Sequence, residues 1–135
     1  MLHPENINWL GVILATIAHG IIGFLWYGPI FGNAWMKALG KTRGQLMANA
    51  NLSIGISSVG ALIMAAAFAL LLTLAPDRTI TTGIIWGAVL GIGFAGTTKF
   101  ISAAFEGVSW TVAGLFAAYE FVALIVMGAI LTELK

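Results

Sequence analysis

Between Ile80 and Ala104 the chain carries no charge until Lys99, and glycine stands at 83, 87 and 91, alanine at 95 and lysine at 99, each four residues after the last. About 20 consecutive apolar or small residues is the length at which a helix crosses a bilayer. Glycines four apart on such a helix let a second backbone approach closely. The segment therefore reads as a packing spine against which the other segments fold. Residues four apart drift by about 40° per step on a straight α-helix. The expected contact patch is thus Gly83, Gly87, Gly91 and Ala95, with Lys99 turned away from Gly83 and a right-handed crossing favoured.

Only 8% of the residues are charged, 60% are hydrophobic and the mean hydropathy is +1.01. A soluble domain carries roughly a quarter charged residues. A chain this poor in charge cannot cover a water-facing surface, so membrane lipid is its expected solvent. The Lys and Arg residues form no run that could follow a phosphate backbone, which excludes nucleic acid as a partner. The absence of cysteine removes disulfides, thiolate catalysis and Cys-ligated metals. The N-terminal stretch Met1 to Asn6 lacks a basic n-region, and the first apolar run outlasts an h-region, so it reads as a retained helix.

In chain order, the pattern predicts an all-α polytopic membrane protein forming one domain. Its four transmembrane helices cover about residues 7–27, 51–74, 80–104 and 109–131, and a short interfacial helix lies within 28–50. In the first span Gly11, Ala15, His19 and Gly23 recur every four residues, on the face expected to meet another helix. Asn6 or Asn8 is its N-cap. Trp26 and Tyr27 anchor its far end, and Gly28-Pro29 are expected to break it. Phe31, Trp35 and Leu39 share one side of the next segment, opposite Asn33, Lys37 and Lys41, as in a helix lying among headgroups. Trp26, Tyr27, Pro29, Phe31 and Trp35 are thus the interfacial set. Gly40 is a stop signal, and Thr42-x-x-Gln45 matches a capping box from which the second span could run on. Lys37, Lys41, Arg43 and Lys99 against Arg78 and Lys135 place the long loop in the cytoplasm and both termini outside, in an inner (plasma) membrane.

The run Trp26-Tyr27-Gly28-Pro29-x-Phe31-Gly32-x-x-Trp35 resembles a family of small prokaryotic membrane proteins catalogued as domain of unknown function 1761. The likeness extends to Gly93-Phe94, Phe105-Glu106 and Tyr119, and so covers most of the chain. It implies a four-helix inner-membrane protein and brings no activity, substrate or catalytic residue with it.

His19 and Glu120 are the sharpest chemical candidates. Each lies roughly 17–18 Å from the outer end of its span at about 1.5 Å per residue, near the bilayer midplane. Ionisable side chains at that depth usually face a bundle or a cavity. They could share a proton in transport or gating, or simply staple two helices. Lys99 and Glu106 flank the inner end of the third span, as a pathway mouth or as a snorkelling lysine and a solvated loop residue. Gly91 to Gly96 spells G-x-G-x-x-G, but that motif signals a dinucleotide only between a strand and a helix. No metal site, cofactor or hydrolase constellation emerges, and an enzyme is not expected.

The reading that fits these features is a self-associating helix-packing or accessory subunit, a homo-oligomer or the companion of a larger membrane partner. The alternative is a small oligomeric proton-coupled transporter or channel using Glu120 and His19. A cavity reaching Glu120 favours transport. A sealed carboxyl with both oxygens satisfied favours the packing role.

Overall fold

Four helical stretches in the computed structural model, which describes residues 1–135, are long and apolar enough to cross a membrane: Trp9–Ile30, Ala50–Leu72, Ile80–Glu106 and Trp110–Glu133. With no strand present, every span satisfies its backbone internally, as lipid demands. The first span is α1 (Trp9–Leu25) continued by a π-helical turn, π1 (Trp26–Ile30). Two short helices, α2 (Gly32–Leu39) and α3 (Arg43–Met47), lead to the second span, α4 (Ala50–Leu72). The third span is α5 (Ile80–Leu90), π2 (Gly91–Gly96) and α6 (Thr97–Glu106), and the fourth is α7 (Trp110–Glu133).

The ends of these elements follow local chemistry. Asn8 caps α1 through its side chain, Ser109 caps α7 and Thr79 caps α5, each accepting a backbone N–H that the first turn leaves free. Thr42 and Gln45 form a reciprocal capping box on α3. Gly40 closes α2 and Gly107 closes α6 with positive φ, a conformation that costs glycine nothing.

Two expectations about continuity need correction. Gly28-Pro29 do not end the first span. The backbone widens instead, and Phe31 donates to the Trp26 carbonyl at 2.8 Å, five residues back. The wide turn accommodates a proline that has no N–H to give and whose ring would collide with a carbonyl in a regular α-helix. Second, the capping-box helix does not run on into the membrane, because a turn at residues 48–49 separates α3 from α4.

The organising helix is α7 rather than the third span. Ala113, Ala123, Leu124, Met127 and Leu131 of α7 are all buried. The α5–π2–α6 span packs along it on one flank and α1 on another, while α4 leans mainly on α1 and meets α7 around Phe68 and Leu72. The tightest seam joins α5 to α7. A methyl group on Gly83 would lie 2.6 Å from the Gly128 carbonyl carbon, and one on Gly87 would lie 2.7 Å from that of Leu124. The apolar core sits towards the terminal end, where Val12, Phe68, Leu72 and Met127 meet. There the chain is also tied across spans: the His3 N–H donates to Thr73 Oγ1 at 3.0 Å and Lys135 Nζ to the Arg78 carbonyl at 2.9 Å. At the other end Trp26 Nε1 donates to the Leu115 carbonyl at 3.0 Å, and Tyr27 packs on Trp35 with ring centroids 4.6 Å apart. Residues 51–60 of α4, by contrast, are exposed throughout.

Replacing Gly83 with alanine is expected to force α5 from α7 and cost about 1–3 kcal/mol, the usual penalty of overpacking. Gly60, with nothing within 4 Å of an added methyl, is the control: Gly60→Ala should be neutral or gain up to about 1 kcal/mol from helix propensity. Unfolding of both variants in detergent micelles measures the difference.

Candidate functional site

The four-residue spacing of Gly11, Ala15, His19 and Gly23 turns all of them towards α7. Gly11 abuts Leu131 and Leu134, Ala15 is fully buried, and Gly23 lies against Tyr119. His19 reaches across this seam, and its Nε2 sits 3.1 Å from Glu120 Oε1. The histidine is 8% and the glutamate 3% exposed, so water does not screen the pair. The two residues singled out from sequence are therefore one hydrogen-bonded unit.

Tyr119 completes it. Its hydroxyl donates to the His19 backbone carbonyl at 2.8 Å and lies 3.0 Å from His19 Nδ1, with Nε2 farther at 3.3 Å. Gly23 makes this reach possible, since a methyl there would come 2.8 Å from the Tyr119 oxygen. A tyrosine has one proton to give. With that proton on the carbonyl, Nδ1 must carry hydrogen and donate to the phenol oxygen. Nε2 then faces Glu120 Oε1 with one proton between them. Placed on nitrogen, it makes an imidazolium–carboxylate pair; placed on oxygen, it makes a neutral imidazole and a carboxylic acid. Both states satisfy the same hydrogen bonds. Loss of that proton leaves the pair with one net negative charge.

The second carboxyl oxygen, Oε2, is buried without any hydrogen-bond partner. Such groups are rare because desolvation goes uncompensated. Glu120 is also part of the lining of an open cavity of about 500 Å³ between α4, the third span and α7. Its walls are mostly apolar, including Phe68, Phe94 and Phe116, and its polar members besides Glu120 are Thr98, Lys99 and Ser102. The cavity exists because α4 leans on α1 and leaves a gap towards α6.

Lys99 lies in this lining, its ammonium 5.4 Å above the Phe116 ring. Glu106 is exposed and accepts from the Ser102 hydroxyl one turn earlier. The two do not pair with each other. Gly91 and Gly96 lie against α7 at Phe121 and Ala117, and Ala95 lines the cavity. The G-x-G-x-x-G spelling is thus a π turn inside a span, with Thr97 Oγ1 donating to the Ile92 carbonyl at 2.7 Å. No cluster of three His, Cys, Asp or Glu side chains could hold a metal ion. Trp26, Tyr27 and Phe31 pack beside the site, with Tyr27 5.5 Å from the Tyr119 ring. Pro29 lies within π1.

Reasoning from residue types passed over Tyr119 as a partner of His19, and over the aromatic cavity wall. A tyrosine next to a buried glutamate was the available signal, but neighbours on a helix point about 100° apart, so nothing showed both reaching one histidine.

The model of a family described as "Protein of unknown function (DUF1761)" matches residues 10–132. No curated protein and no solved structure matches the chain.

Tyr119→Phe is expected to release Nδ1, so that His19 no longer holds its proton there, and to cost about 0.5–1.5 kcal/mol per hydrogen bond lost. Gly23→Ala should have the same spectroscopic effect by displacing the hydroxyl. Nitrogen NMR shifts of His19 in micelles read the change directly.

Proposed function

We propose that this chain, which belongs to the DUF1761 family, is a small proton-linked transporter of the membrane, with the His19–Glu120 pair as its protonation site. One observation carries the reading: a buried carboxyl with one oxygen hydrogen-bonded and the other unpaired, in the lining of a 500 Å³ cavity. A helix staple needs no cavity and gains nothing from an unsatisfied oxygen. An ionised carboxylate at mid-span costs on the order of 2.5–3.5 kcal/mol on insertion scales, so retaining one points to use. The role is non-catalytic. Lys37, Lys41, Arg43 and Lys99 at the loop end support an inner-membrane orientation with that loop in the cytoplasm and both termini outside.

If the pair is the protonation site, infrared difference spectra should show a protonated-carboxyl band that responds to pH and is missing in Glu120→Gln. In liposomes under an imposed pH gradient, Glu120→Gln and His19→Ala should reduce Glu120-dependent proton movement to that of protein-free vesicles. A carboxyl band that never titrates removes the reading.

The protein is further proposed to act as a homo-oligomer. The glycines of α5 and π2 already meet α7 within one chain, and the longest continuously exposed helical stretch open to a second copy is the first half of α4. Ser53, Ser57 and Ser58 are exposed there, and hydroxyls in lipid gain from a neighbouring helix. The chain has no native cysteine, so Ser57→Cys introduces a single thiol. Oxidative crosslinking in native membranes should give a disulfide-linked dimer, whereas Ile85→Cys on the far span should not.

A further inference from the structure

Resting on the reading of Glu120 as a protonation site, we propose that the cavity binds a hydrophobic monovalent organic cation, and that this cation and the proton shared by His19 and Glu120 displace one another. The argument begins with charge. The Tyr119 hydroxyl lies within reach of both the His19 carbonyl and Nδ1, so either imidazole tautomer finds a partner there. With the shared proton present the pair is neutral overall. Without it, the His19–Glu120 pair carries one net negative charge out of water, and no basic nitrogen other than that of His19 stands within 4 Å of the carboxylate. Either a proton or another positive charge beside the carboxylate relieves this, and binding both would add to the charge that Lys99 already brings to the lining. The exchange balances: the cation enters beside the carboxylate, and one proton leaves the pair for water.

The walls decide what kind of cation. A hard metal ion replaces its hydration with about six or more oxygen ligands. Here the lining supplies one carboxyl and the hydroxyls of Thr98 and Ser102 among aliphatic and aromatic side chains. Phe68, Phe94 and Phe116 suit a body that is apolar and a charge that can sit over a ring. A volume of about 500 Å³ falls in the range of small-molecule sites, about 300–1,000 Å³. The ionisable groups around Glu120 are His19 from α1, Tyr27 from π1, Tyr119 from α7 and Lys99 from α6, while α4 and α5 contribute none. Lys99 is the one fixed cation among them. It disfavours a second positive charge at its own end, which keeps the ligand monovalent with its charge towards Glu120.

Calorimetry on the detergent-purified chain with benzyltriethylammonium tests this. Repeating the titration in buffers of different ionisation enthalpy should give one proton released per cation bound. The affinity should fall about tenfold for each pH unit lowered while the pair is protonated. Glu120→Gln should abolish binding, and Lys99→Gln should leave it equal or tighter. Because Glu120→Gln could disturb the fold, the pH series on the unaltered chain decides independently. Binding with no proton release, or binding of octanoate that Lys99→Gln removes, overturns the proposal in favour of an uncoupled or an anionic ligand. A Glu120 band that titrates while no cation binds sinks this inference alone. A band that does not titrate sinks the transporter reading with it.

Discussion

The approach of α5 to α7 at Gly83, Gly87 and Gly128 is the constraint from which the rest follows. In lipid, helices gain nothing by hiding apolar side chains from water, so their association rests on backbone proximity and packing. Two glycines opposite one another give the closest contact a helix pair can make. That contact fixes the height of the third span on α7 and brings Gly91 against Glu120 and Phe121. The carboxyl is therefore held by the same seam that holds the bundle. The neighbouring α1 seam brings the histidine, again through small residues at four-residue intervals.

Both π turns lie beside this level of α7. π1 sets Trp26 and Tyr27 against Tyr119, and π2 sets Gly91 and Gly96 along Ala117 to Phe121. Wide turns often mark functional sites because they aim side chains that a regular helix would turn elsewhere. Here they let two spans pass close to a polar cluster without a proline or a glycine run breaking the membrane-crossing backbone.

Much of this was legible in the amino-acid sequence, for reasons that can be named. Lipid permits few backbone solutions, so the absence of charge and the lengths of the apolar runs were enough to place four helices. The four-residue recurrence of Gly11, Ala15, His19 and Gly23 was enough to aim His19 at a partner, and the mid-span depth of Glu120 picked out that partner. Three things were hidden. The π turns depend on backbone strain around Pro29 and on contacts of Gly91 and Gly96, which periodicity does not encode. The importance of α7 as hub depends on small residues spread around it rather than ranked in one stripe. The place of Lys99 over Phe116 was hidden as well, because the wide π2 turn reduces the rotation that a straight α-helix would give the four-residue series.

On the transporter reading, the gap between α4 and α6 has a consequence for selectivity. Phe94, 66% exposed, and Leu71, 38% exposed, stand at the rim of the cavity, where the surrounding medium is hydrocarbon. A greasy solute already dissolved among acyl chains loses no contact with water when it slides in, so its apolar bulk contributes almost nothing to discrimination. If the groove takes the proposed cation, the bilayer gathers candidates by partition, and the choice among them falls to their charge beside Glu120.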